Sequence, residues 1–148
     1  MFGIPDYRYK VWLVRLVIIF IVVYIVLLIL SFISTLALVP VSSFTMAFQL
    51  MYPIFFMGSL GFMFSTLIRN GSGAAAVMII IGLIVWISSG ILETNKWNIF
   101  LNPYDMPDSL SQLMWIEMLF YNRLYLIIGA ILAILAGLYR LQNREKFI

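Results

Sequence analysis

The chain contains no cysteine and no histidine. Without cysteine there is no disulfide, no thiolate metal site and no thiol nucleophile. Without histidine the commonest metal ligand and proton shuttle is also missing. Charge is scarce: 10% of residues are charged, against about a quarter in ordinary globular domains. The ATP-binding signature G-x-x-x-x-G-K-[ST] is absent too, since none of the three lysines follows a glycine. Redox, metal and nucleotide chemistry are therefore poor readings. The sequence nominates no catalytic, cofactor-binding or metal-binding residue, and no enzyme activity or cofactor is expected of it.

What the chain does contain is apolar residue, 64% of the total. A helix needs about 20 mostly apolar residues to cross the hydrocarbon core, so 148 residues hold four or five spans and little else. The expected fold is a single all-α transmembrane domain over 1–148. Leu16 to Val39 carries no charge and reaches about 36 Å as a helix. Basic residues precede it, as in a signal peptide, but the run is longer than a removable apolar region and no A-x-A-like cleavage site follows. With its flanks it is read as a span over 13–39. Pro40 and "VSSF" end it, and a second span covers 44–68, interrupted by Gln49, Pro53 and small polar residues. A third covers 73–93. Leu124 to Tyr139 supplies only about 24 Å, so the fourth borrows upstream residues and covers 121–140. Asn122 and Arg123 then fall at a headgroup boundary, where a long cationic side chain can reach water.

Orientation follows from the bases in short loops. Arg8, Lys10 and Arg15 precede the first span, Arg69 lies between the second and third, and Arg140, Arg144 and Lys146 follow the fourth. Lys96 and Arg123 are the only bases on the other side. Both termini and the turn "LIRNGSG" are thus expected on the cytoplasmic face, with 94–120 outside. The net charge of +3 is explained by this topology and does not imply nucleic acid.

Ion-coupled carriers place ionisable groups within the membrane, and here none falls in the middle of a span. Glu93 could couple an ion, but beside "TNKWN" it reads more simply as a solvated helix end. Ser31, Ser34 and Thr35 have no base at matching depth, and hydrogen bonding to the helix backbone or a neighbouring helix accounts for them. Gly58, Ser59, Gly61 and Ser65, with the small residues from Gly71 to Ala76, suit close helix packing. Tyr7, Tyr9, Trp12, Trp97, Trp115, Tyr121 and Tyr125 flank spans as interfacial anchors do.

The segment 94–120 is too apolar for an ordinary solvated loop. Pro103 and Pro107 bracket a turn, and Asp108 or Ser109 is placed to cap a following helix. Leu110, Leu113, Met114, Glu117 and Met118 then recur at helical spacing. The pattern predicts a short amphipathic or re-entrant outer helix before the last span; a break near "YNR" would imply a water-accessible vestibule.

Taken together, "GSLGFMFSTLIRNGSGAA", "LNPYDMP" and "NRLYLIIGAILAILAGLYRLQNREKF" resemble the C-terminal part of ABC exporter permeases of the type-2 class. The matching positions are Gly58, Gly61, Arg69, Asn70, Asn102, Pro103, Asn122, Arg123, Arg140, Arg144 and Glu145. The resemblance implies a permease subunit of an ATP-driven exporter in the plasma (inner) membrane of a prokaryote. Its implied partners are a second permease subunit, identical or not, a cytoplasmic ATP-binding subunit and membrane lipids. Family members have six spans, and the four here match the third to sixth. The chain is then a C-terminal fragment, a split permease or a naturally short one. Two residue sets follow: an ATPase-proximal surface at Arg8, Lys10, Arg15, Arg69 and Asn70, and an outer re-entrant or gate region at Asn102, Pro103, Glu117, Asn122 and Arg123. The alternative is a small four-helix accessory or assembly subunit without transport activity of its own.

Overall fold

The computed structural model describes residues 7–38 and 40–145, with the side chains of 7–9 and 144–145 left aside. Among the described residues there are four helices and no strand: α1 Tyr7–Ala37, α2 Ser43–Leu67, α3 Gly71–Ile91 and α4 Gln112–Glu145. Each holds a segment long and apolar enough to cross a membrane, namely Lys10–Ala37, Ser43–Leu67, Gly71–Ile91 and Gln112–Asn143. The fold is that of an all-helical, multi-pass membrane protein.

Local chemistry explains the boundaries. The α1–α2 turn carries Pro40, and Thr35 Oγ1 lies 3.0 Å from Ser43 Oγ across it. At the α2–α3 turn the Asn70 side chain accepts a hydrogen bond from the Ser72 amide at 3.0 Å, satisfying one of the free donors of a helix start. The α3–α4 connection is shaped by Asn95, Asn98 and Asn102. Each turns its Oδ1 back to accept the amide two residues on, at 3.1 Å in all three cases, the standard device by which asparagine bends a chain.

Helix α2 is the centre of the bundle and touches the other three, α4 most extensively. The α2–α4 seam is parallel and in steady register: Gln49 meets Arg123, Phe56 meets Gly129, and Phe62 meets Gly137. A Cβ added at Gly129 would lie 2.5 Å from the Phe56 ring, and one at Gly137 would lie 2.7 Å from that of Phe62. Either ring would have to shift to admit a methyl group, so glycine permits the close packing on which helix association rests where lipid gives no hydrophobic drive. On the opposite side Phe20 of α1 covers Gly58 and meets the edge of Phe55, centroids 4.9 Å apart. The small residues opening α3 pack less than their composition suggests. Ala74 alone is buried in that helix, and Gly71, Gly82 and Gly90 face open space.

The first described residue, Tyr7, is already helical, so α1 contains the expected first span from 13 on, while Val39 lies outside the described residues. Two expectations need correction. Helix α4 begins at Gln112, upstream of 121, so the expected separate outer helix and the last span are one unbroken helix. The cap is neither Asp108 nor Ser109. Ser111 fills that place, its Oγ accepting from the Met114 amide at 3.4 Å and its carbonyl from the Trp115 amide at 3.0 Å. No break occurs at Tyr121–Arg123, because Asn122 and Arg123 find partners on other segments without leaving helical geometry.

Candidate functional site

Asn122 and Arg123 are consecutive on α4, so their side chains diverge by roughly 100° around the helix. One turns into the α3–α4 connection and the other toward α2. Asn122 is 1% exposed. Its Nδ2 donates to the carbonyls of Lys96 at 2.8 Å and Asn98 at 2.7 Å, using both hydrogens of the amide. This clamp fixes the connection over the bundle end and buries Asn98 and Leu101 with it.

Arg123 is half-buried. Its Nε donates to Gln49 Oε1 at 3.0 Å, its Nη1 donates to Asn122 Oδ1 at 3.2 Å, and its guanidinium carbon lies 5.1 Å from the centroid of the Tyr52 ring. Among the described residues every one of these partners is neutral. Two of the five N–H donors that an arginine carries are thereby used.

The guanidinium borders a cavity of about 340 Å³, walled by one face of α2 at Met46, Gln49, Leu50 and Pro53 and by residues 100–104 of the connection. Pro53 lies inside α2 and has no N–H, so the Gln49 carbonyl lacks its ordinary helical donor. Glutamine and proline therefore add polar capacity to an otherwise apolar wall. Gln49 lies about 9 Å along the helix from Ser43, the first residue of α2, so the charge sits one to two turns inside the bundle end.

A second cavity of about 430 Å³ lies across the connection and is polar, with Glu93, Thr94, Asn98 and Asp105 among its walls. Among the described residues no group of three or more histidines, cysteines, aspartates and glutamates is placed to hold a metal ion.

Of the residues the sequence singles out for the outer region, the structure brings Asn102, Pro103 and Arg123 together around the 340 Å³ cavity. Asn122 stands behind them as the clamp. Glu117 is exposed on α4 and is not part of the cavity wall. At the other end of the bundle Lys10 and Arg69 are exposed, Arg15 is exposed with its guanidinium carbon 5.6 Å from the Trp12 ring centroid, and Asn70 caps α3. The side chains of Arg8, Arg144 and Glu145, and the whole of Lys146, lie outside the described residues. Antiparallel α1–α2 packing and parallel α2–α4 packing gather Lys10, Arg15, Arg69 and Arg140 at one end, opposite Arg123.

Gln49 and Tyr52 are the neighbours of Arg123 that the sequence alone does not single out. Gln49 is legible only as a polar interruption in an apolar run, yet a lone amide at that depth signals a partner on another helix. Ser31 is buried with no hydrogen-bond partner for its Oγ among the described residues. Thr35 binds the Phe32 carbonyl and Ser43, a structural use of the hydroxyl. Comparison with known proteins finds no matching family model, no matching curated protein and no matching solved structure.

Proposed function

We propose that the chain is a transmembrane permease subunit of an ATP-driven ABC exporter. In this reading it lies in the plasma membrane of a prokaryote with both termini cytoplasmic, and ATP is hydrolysed by a separate cytoplasmic ATP-binding subunit. A second permease subunit, identical or not, completes the translocation path.

The observation that carries the reading is the state of α3, a membrane-crossing helix of 21 residues whose one buried residue is Ala74. Its side chains Ile79, Ile80, Leu83, Ile84, Trp86 and Ile87 are exposed. Three helices arranged around α2, with α3 left at the rim, do not surround a path by themselves, and a second chain supplies the missing wall. The exposed bases Lys10, Arg15, Arg69 and Arg140 at the terminus-bearing end suit a soluble partner on the side that the positive-inside rule makes cytoplasmic. The resemblance in "IRNGSG", "NPYDMP" and "NR" supports the ATPase as that partner.

Purification from native membranes in mild detergent tests this. A soluble ATPase should accompany the chain, and Arg69→Ala should leave expression intact while changing ATP hydrolysis by the complex. Recovery of a membrane partner without an ATPase would instead favour the accessory or assembly subunit.

A further inference from the structure

We infer that the cavity beside Arg123 is a binding site for one anionic phospholipid, with the phosphate on the guanidinium and an acyl chain along α2. The inference stands apart from the exporter reading and needs none of its partners.

The first support is charge. A guanidinium one to two turns inside a membrane bundle, half-buried and held only by Gln49, Asn122 and the face of Tyr52, carries a full charge that its protein partners do not neutralise. An uncompensated charge at such depth is unfavourable, and an anion entering the adjoining cavity removes that penalty. Three of the guanidinium N–H groups have no partner among the described residues, and arginine presents such donors as a planar fork that matches a phosphate.

The second support is the wall. Gln49 and Arg123 lie against Met46, Leu50, Pro53 and Phe100 in a space of about 340 Å³, which suits a head group with the start of a chain. The third is the rim: Leu50 of α2 and Phe100 of the connection are exposed apolar side chains, 42% and 46% accessible. The mouth is thus bordered by exposed apolar side chains, which suit an amphiphile with an acyl chain better than a soluble anion.

Delipidated protein in non-ionic detergent, titrated with phosphatidylglycerol or phosphatidylcholine of equal chain length, provides the test, read by native mass spectrometry and thermal shift. Phosphatidylglycerol should bind at least about tenfold tighter than phosphatidylcholine. Arg123→Gln should weaken its binding by about ten- to a hundredfold, the loss expected for a charge-assisted contact. Leu50→Trp, at an exposed position that leaves the charge intact, should weaken binding by filling the apolar part, and it decides the matter if Arg123→Gln fails to fold. Soluble glycerol phosphate should give no shift. Equal binding of the two lipids, undiminished binding by both variants, or an equal effect of glycerol phosphate would overturn the proposal.

Discussion

The Asn122 carboxamide donates to the Asn98 carbonyl at 2.7 Å inside a fully buried environment, joining two residues far apart in sequence. Replacing Asn122 by Leu keeps the volume but strands the Asn98 and Lys96 carbonyls without their donor. The expected loss is about 1–3 kcal/mol, seen as a lower thermal midpoint in detergent. Limited proteolysis should then open the chain first between Leu92 and Ser111.

Glycines on the two sides of the bundle should respond in opposite directions. Gly129→Ala puts a methyl group against the Phe56 ring, and overpacking of this kind costs about 1–3 kcal/mol. Gly82→Ala, in open space, should be neutral or stabilise α3 by about 0.5–1 kcal/mol, since alanine is the better helix former. Paired unfolding curves of the two variants compare these directly.

Gln49→Leu removes the acceptor of Arg123 Nε and should destabilise the α2–α4 seam by about 1 kcal/mol. Gln49→Glu supplies the missing negative charge from the protein itself. That variant should keep its fold and lose any preference for anionic over zwitterionic phospholipid, measured in the same lipid titration.

Because the chain has no cysteine, single substitutions label cleanly. Arg69→Cys and Asp105→Cys should react with a membrane-impermeant thiol reagent from opposite sides of sealed vesicles, with Arg69→Cys on the cytoplasmic side. Labelling of both from one side would contradict four crossings.

The spans were largely legible because charge-free runs such as Leu16 to Val39 leave no other use for their length. The start of α4 was not. Glu117, Asn122 and Arg123 read locally as interruptions, and the carbonyls and amide that satisfy Asn122 and Arg123 lie 24 to 74 residues away in sequence, where no local pattern announces them. For the same reason the sequence marks Arg123 as a boundary residue but does not pair it with Gln49. Asn102 and Pro103 stand in a short motif, while the cavity they border exists only because the connection folds back over α2.

Helix α4 runs for 34 residues without interruption, about 51 Å, longer than the roughly 30 Å hydrocarbon layer. Asn122 and Arg140 therefore stand on one unbroken helix, about 27 Å apart along its axis, so the clamp on the connection and the basic end of the bundle belong to a single rigid element.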